Sequence, residues 1–486
     1  MREDRAMPAD PFDPFTPALD LAAAVRRREI GPVELAETYL RRADRLDPVL
    51  NAFCHRDDEA VLAAARAAEH RVLTAGRDER LPPFLGVPLP VKDLADVAGW
   101  PTTYGSRATS REPAKATDPV VARLVAAGFV PMGKTTTSEF GALPFTESPA
   151  LGITRNPWDT ARTPGGSSSG AGAAVAAGMA PIAHAEDGGG SIRIPASCTG
   201  LVGLKPTRGR VAQATVLVEG LAAAGVVTRT VEDTAAVLDV LARHDPGSWW
   251  SPPAPALRYA AALEQEPPAG LRIGRLTDSP VAGVPVDPAC RTAVERTLRA
   301  LEHAGHHVVD TPLPLPPAEE LVGAFTAIWN TGAAAVPLTD PDLVEPHNRA
   351  LREAAHAADS WAYARAVQSA QRLSRALVEG FLAGFDLLVT PTMACLPPRI
   401  GAWRTGTAAD PAAAVRNSYP MGVFTSVFNV TGQPALSLPL HRDGATGLPV
   451  GVQLVAAPWR EDLLLQVART LEEALPQAGH RPQVGR

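Results

Sequence analysis

The sequence predicts an α/β protein, built on a large mixed β-sheet core covered by helices on both faces. Three observations carry that expectation. The chain of 486 residues is long enough to bury a sizeable core. Its central segment alternates short apolar runs with helical periods as far as Val240, and proline and glycine mark where helices start and stop.

Taken in order, residues 19–28 and 32–45 read as N-terminal helices, the second introduced by the Gly31-Pro32 break, because proline's fixed φ suits a first helical turn. Residues 57–73 continue as an amphipathic helix. The apolar run 84–91 reads as a buried strand closed by Lys92. Residues 118–127 form an amphipathic helix that Gly128 stops, so residues 129–132 are the strand that follows. Residues 168–179 are rich in Ala and Gly and read as a tightly packed, buried helix. After Val240 a Pro- and Ala-rich stretch, 245–270, reads as a surface excursion or linker. Residues 271–276 then form a strand, Asp287 and Pro288 open a helix that Gly305 closes, and Val308 starts the next strand. This βαβ unit is expected to extend the same sheet.

Two serines in glycine-rich loops carry the chemistry: Ser167 in Gly165-Gly166-Ser167-Ser168-Ser169-Gly170 and Ser191 in Asp187-Gly188-Gly189-Gly190-Ser191-Ile192-Arg193. A serine hydroxyl is a poor nucleophile until something removes its proton, and a lysine can do so only where burial or a positive field keeps its amine neutral. Lys92, at the end of an apolar run, is in such a setting. Three successive glycines before Ser191 let the backbone aim several N–H groups at one point, which a developing oxyanion needs. Together these residues form an acyl-transfer site with no histidine in it.

At these residues the chain resembles the amidase signature family, serine hydrolases with a Ser-cisSer-Lys triad. The match runs through Gly86-Val87-Pro88, Lys92-Asp93, Thr102-Thr103-Tyr104-Gly105-Ser106, Gly133-Lys134-Thr135, Glu139-Phe140-Gly141, the two serine loops and Gly203-Leu204-Lys205-Pro206-Thr207. It resumes at Phe428-Asn429-Val430-Thr431-Gly432-Gln433-Pro434-Ala435 and Gly447-Leu448-Pro449-Val450-Gly451-Val452-Gln453. The 75-residue step from Lys92 to Ser167 and the 24-residue step to Ser191 fit the family pattern. The resemblance implies Ser191 as nucleophile, Ser167 as the bridging serine after a cis Gly166-Ser167 peptide, Lys92 as base, and the N–H groups of Gly188, Gly189, Gly190 and Ser191 as the oxyanion hole. It also implies one domain over residues 14–486, with a flexible terminus at 1–13, a signature core at 80–240 and a variable, substrate-side region at 245–425. The segments 187–195, 202–210 and 451–468 look most like bacterial stand-alone amidases, including nylon-oligomer hydrolases.

Each short motif also admits a plainer reading. Either serine alone would serve a turn, and Lys92 alone would be a strand-end lysine paired with Asp93 or Asp96; in joint order and spacing, catalysis is the better account. Gly166-Ser167-Ser168-Ser169-Gly170 satisfies G-x-S-x-G, but a nucleophile elbow at Ser168 needs the glycine loop upstream and a strand directly before it. Gly128 to Thr135 satisfies G-x-x-x-x-G-K-T, but there the glycine ends a helix and a strand follows. Arg193 is expected to brace its loop through Asp187 rather than touch substrate, and Glu139 to be an anchor.

Net charge is −6 with no basic stretch, so no footprint for nucleic acid exists. The start lacks an apolar signal-peptide region, and the small-apolar run 171–183 is too short to span a bilayer, so no membrane contact is expected. Cys54, Cys198, Cys290 and Cys395 are scattered and read as free thiols in a reducing, cytoplasmic setting. His303, His306 and His307 lie at a helix end and read as surface capping groups, so neither metal nor other cofactor is implied.

Substrate contacts are expected from Gly141, Ala142, Leu143 and Phe145, from Ile194, and from residues 325–330 and 419–428, stretches that are apolar and carry few charges. The expected partner is therefore a small, uncharged, fairly hydrophobic amide. Esters and carbamates share the attacked carbonyl, so aryl amidase, esterase and urethanase activity stay open, as does a homodimer. The alternative of another class is an amidotransferase subunit working with a partner and tRNA; Ile194, where that branch carries glutamine, argues against it.

Overall fold

The computed structural model describes residues 12–485 except 77–78, 214–217, 219, 251, 311 and 478. Of the terminus expected to be flexible, 1–13, residues 1–11 lie outside the described residues; Asp13 is described, and accepts from the N–H of Phe15 at 3.0 Å. Thirteen strands are assigned among the described residues: β1 (Phe53–His55), β2 (Pro88–Lys92), β3 (Val130–Thr135), β4 (Glu147–Ser148), β5 (Gly152–Ile153), β6 (Ala183–Asp187), β7 (Val202–Lys205), β8 (Ala223–Thr228), β9 (Arg272–Arg275), β10 (His307–Val308), β11 (Leu387–Pro391), β12 (Ala435–Arg442) and β13 (Pro449–Ala456). Eight form one mixed sheet in the order β10-β9-β11-β13-β12-β7-β8-β6. Only β10, β9 and β11 run parallel to one another, and every other pairing in it is antiparallel. The βαβ unit extends this sheet as expected: β9 and β10 flank the Pro288–His303 helix, which Asp287 caps by accepting from the N–H of Ala289 at 2.8 Å.

The period of two along the central strands explains why both faces are covered. Leu387, Val389, Val452 and Leu454 pack on one face with Val294, Leu298, Leu464 and Leu465 from the helices Pro288–His303 and Glu461–Ala474. Leu388, Ala435 and Val455 turn to the other face, against Leu373, Leu377 and Phe381 of Ser360–Gly384 and Leu321 and Ile328 of Ala318–Ala335. An apolar side chain buried this way contributes roughly 1.5–3 kcal/mol.

A second sheet, β1-β3-β2, carries Lys92 at its β2 end. The strand there is shorter than the apolar run: residues 84–87 form a turn, with the Val87 N–H on Phe84 O at 3.1 Å and Gly86 at φ 85°, before the ladder with β3 begins at Pro88. The helix expected at 32–45 runs on to Leu50 through Pro48, because Leu46 and Leu50 bury against the core and Asn51 ends it in the left-handed region at φ 52°. Gly128 ends the Pro119–Ala126 helix and β3 follows, as the sequence indicates. One histidine departs from its reading: His303 bonds Arg299 O at 2.7 Å at the surface, but His306 is 5 % exposed, because the chain turns inward there to start β10.

Candidate active site

Lys92 is 1 % exposed and has left the partner a strand-end lysine would take. Asp93 is held instead by Lys134 Nζ at 3.2 Å and by the N–H of Thr103 at 3.1 Å. Lys92 Nζ donates to Ser167 Oγ at 2.9 Å and to Glu186 O at 3.3 Å. Burial, only partly offset by the charges of Glu186 and Asp187, brings its pKa down to about 8. Near neutrality the amine is therefore deprotonated in roughly a tenth of molecules.

Ser167 follows a cis Gly166–Ser167 peptide and sits just before the Ser169–Ala176 helix. The positive end of that helix favours negative charge on the serine and disfavours it on the ammonium of Lys92. Ser191 lies between β6 and the Arg193–Thr199 helix, and is 7 % exposed. Lys92, Ser167 and Ser191 all line one cavity of about 150 Å³, together with Asp96, Tyr104, Asp118 and Glu186. Among the described residues no hydrogen bond joins the two serine hydroxyls.

The glycine loop owes its shape to a buried ion pair. Arg193 Nη2 meets Asp187 Oδ1 at 2.8 Å and Arg193 Nε meets Oδ2 at 2.9 Å, both side chains being fully buried. Arg193 reaches on to Asn429 Oδ1 at 2.6 Å, on the Ser426–Thr431 helix, and to Gln453 Oε1 at 2.7 Å, on β13, which ties the loop to the C-terminal part of the chain. Burial pushes the Asp187 carboxyl up, but Arg193 and Asn429 outweigh it and hold the group far below the usual carboxylate range. Arg193 is thus the brace the sequence suggested.

Asp187 also takes the Gly190 N–H, at 2.7 Å, and the Ile192 N–H, at 3.2 Å. Gly190 is thereby committed inward, and the donors left without a protein acceptor among the described residues are the N–H groups of Gly188, Gly189 and Ser191. Glycine is needed at 190 for φ 133°, a conformation L side chains rarely adopt. At 188 it is needed for closeness: a Cβ there would stand 2.9 Å from Trp329 Cζ3, whose ring stacks on Phe325 at 5.2 Å.

Ser191 borders a second cavity of about 130 Å³, lined mostly by apolar groups. Gly141, Ala142, Leu143 and Ile194 are in its wall, as are Phe325, Trp329 and Tyr419 from the two expected segments. Phe145 is not. It is buried behind Leu143 and Ile194 and stacks on Trp403 at 5.1 Å, since its neighbours at 141–144 already occupy the wall. The sequence reading missed Val281, Leu321 and Leu351, which lie outside the expected stretches, and the cavity acids Asp118 and Glu186; Asp96, named there only as a possible partner for Lys92, lines the same cavity. Of the residues missed, the adjacency of Glu186 to Asp187 is the signal that could have flagged one. Glu139 is the anchor expected, accepting from Ser106 Oγ at 2.6 Å and Asn348 Nδ2 at 2.9 Å.

A family model described as Amidase matches residues 34–465. The 6-aminohexanoate-cyclic-dimer hydrolase of Paenarthrobacter ureafaciens is 37 % identical over 485 residues, covering 95 % of each chain. A solved structure of 6-aminohexanoate cyclic dimer hydrolase complexed with substrate superposes with a TM-score of 0.90 at 37 % identity, over 98 % of this chain and 100 % of that one. The peptide amidase of Stenotrophomonas maltophilia gives a TM-score of 0.80 at 29 % identity, over 96 % and 98 %.

Proposed function

This chain belongs to the amidase family and hydrolyses carbon–nitrogen bonds in non-peptide amides, and we propose that it does so through an acyl-enzyme on Ser191, with Ser167 as proton bridge and Lys92 as base. The observation that carries this reading is the 2.9 Å contact of Lys92 Nζ with Ser167 Oγ in a buried cavity whose wall also includes Ser191. Neutral Lys92 takes the Ser167 proton as Ser167 takes that of Ser191. The Ser191 oxygen then bonds to the amide carbon, and the carbonyl electron pair moves to oxygen, where the N–H groups of Gly188, Gly189 and Ser191 receive it. The relay reverses to protonate the leaving nitrogen as the C–N bond breaks. Water, activated by the same relay, next attacks the ester and frees Ser191. The relay requires the Ser191 hydroxyl to come within hydrogen-bond reach of Ser167 Oγ, and χ1 of the two serines is the freedom available for it.

The substrate is an uncharged, fairly hydrophobic amide whose acyl or aryl part occupies the apolar cavity beside Ser191. The lining of that cavity supports this, as does the likeness to cyclic-dimer hydrolases. Carbamates and esters present the same carbonyl to the same donors and are expected as slower or alternative substrates. Residues 14–486 act as one domain, since β9 and β10 join the sheet that β6 to β8 build. The four free cysteines fit a cytoplasmic enzyme.

The test is covalent. A fluorophosphonate probe should label Ser191 stoichiometrically and abolish turnover, and Ser191→Ala should neither label nor turn over. Labelling at another residue, or a Ser191→Ala variant with near-normal rates, would overturn the mechanism.

A further inference from the structure

A surface cleft of about 760 Å³ runs between the Ser360–Gly384 helix and the loop after β7, and none of its lining residues borders either catalytic cavity. Its lining is basic. Arg372 and Arg375 stand three residues apart, side by side on the exposed face of that helix, and Arg208 joins them from the loop. Glu379 is the acid of the lining, and Arg375 takes it at 3.5 Å. Three arginines against one glutamate leave two positive charges without a counter-charge among the described residues.

Arg208 is held in place from behind. Its backbone N–H bonds Gly432 O at 3.0 Å, and Nη2 donates to Asn429 O at 3.0 Å and Val430 O at 2.5 Å, both carbonyls of the Ser426–Thr431 helix. The guanidinium therefore does not swing out to find hydration. Its Nε is shut off from solvent with no partner, whereas Nη1, also without a partner among the described residues, is left at the accessible edge facing the cleft. Burial brings the pKa down to about 10, and no carboxylate acts against that shift. A cation–π contact with Trp250 at 5.9 Å compensates in part. A charge drawn out of water with no opposite charge beside it is still the costly arrangement.

We propose that this cleft binds a small phosphate-type dianion, either inorganic phosphate or the phosphate group of a monoester, between Arg208 Nη1 and the guanidinium groups of Arg372 and Arg375. Two uncompensated positive charges match a group that carries nearly two negative ones near neutrality. A phosphate directs its oxygens away from one centre, so guanidinium groups on separate elements can each take one, whereas a carboxylate offers both oxygens in one plane to a single fork. Gln368 and Gln371, each four residues before an arginine on the same helix, add neutral N–H donors. The inference stands apart from the acyl-enzyme reading, since no residue of the relay takes part.

The experiment is calorimetric titration of the full chain with inorganic phosphate, glycerol phosphate and malonate, at constant ionic strength in chloride. Phosphate should bind saturably with a Kd of about 1 mM or below, and malonate about tenfold more weakly. Equal affinity for the two phosphates identifies the free ion as occupant, and tighter glycerol phosphate identifies a monoester; either supports the site. Arg372→Gln and Arg208→Gln should each raise the Kd about tenfold or more, the worth of one charged hydrogen bond. Arg365→Gln, on the same helix but outside the cleft, should leave it unchanged. No saturable binding up to about 20 mM, twentyfold above that Kd, overturns the proposal. So does a Kd that Arg372→Gln leaves unmoved, or one that Arg365→Gln raises as much, which would mean diffuse surface charge. Should Arg208→Gln fail to fold, the two exposed helix variants decide.

Discussion

The base is the part of the site whose energetics can be checked most directly. Burial holds Lys92 at about 8 instead of 10.5, a displacement worth about 3 kcal/mol. Between those values the unfolded chain binds the proton that the folded chain has released, so stability rises with pH across the window, and the full burden of the buried ammonium is present below it. Lys92→Met removes that burden, and with it two hydrogen bonds, to Ser167 Oγ and Glu186 O, worth about 1 kcal/mol each. The variant is therefore expected to be about 1 kcal/mol more stable than wild type near pH 7 and about 2 kcal/mol less stable above about pH 10.5. In activity the direction is opposite. Wild-type kcat/KM should climb tenfold per pH unit to a plateau above about pH 8, lying about 100-fold below it near pH 6, while Lys92→Met stays down by about a thousandfold or more throughout. Urea unfolding at the two pH extremes and a pH–rate profile on active-site-titrated enzyme measure both. A limb well below pH 7, a flat profile, or a methionine variant that turns over at wild-type rate would refute the reasoning.

Ser167→Ala cuts the path between base and nucleophile, and kcat should fall by about 10³ with KM little changed, since the apolar cavity is untouched; a steady-state comparison with wild type decides it. Asp187→Asn leaves the Arg193 guanidinium buried without its counter-charge. The loss should be about 3–5 kcal/mol by urea unfolding, and equal stability would mean the pair does not shape the loop. Gly190→Ala forces a side chain into φ 133° against Thr425 and Ile194, and should lower probe uptake at Ser191 before it unfolds the protein, as a labelling time course would report.

Much of the site was legible because its chemistry is local. The glycines around Ser167 and Ser191 are needed where the chain bends or where rings crowd the backbone, as Trp329 does at Gly188, so they are visible as a motif whatever lies elsewhere. Arg193 and Asp187 are six residues apart and could be paired on charge alone. Pocket walls are another matter. Phe145 and Leu143 are both apolar and two residues apart, yet Leu143 lines the cavity and Phe145 stacks behind it on Trp403, a contact made across more than two hundred residues of chain.

By itself the sequence determined the alternating elements, the sheet that β9 and β10 extend, and the identity of the three groups proposed for the relay, because periodicity, helix punctuation and glycine loops are short-range properties. Tertiary structure alone decided which carboxylate Lys134 would take from Lys92, which of the four loop N–H groups Asp187 would consume, and which face of Ala318–Ala335 would bring Trp329 to the cavity. Those outcomes depend on distances between segments far apart in the chain. Burial and electrostatics act through space, and no spacing along a sequence encodes them.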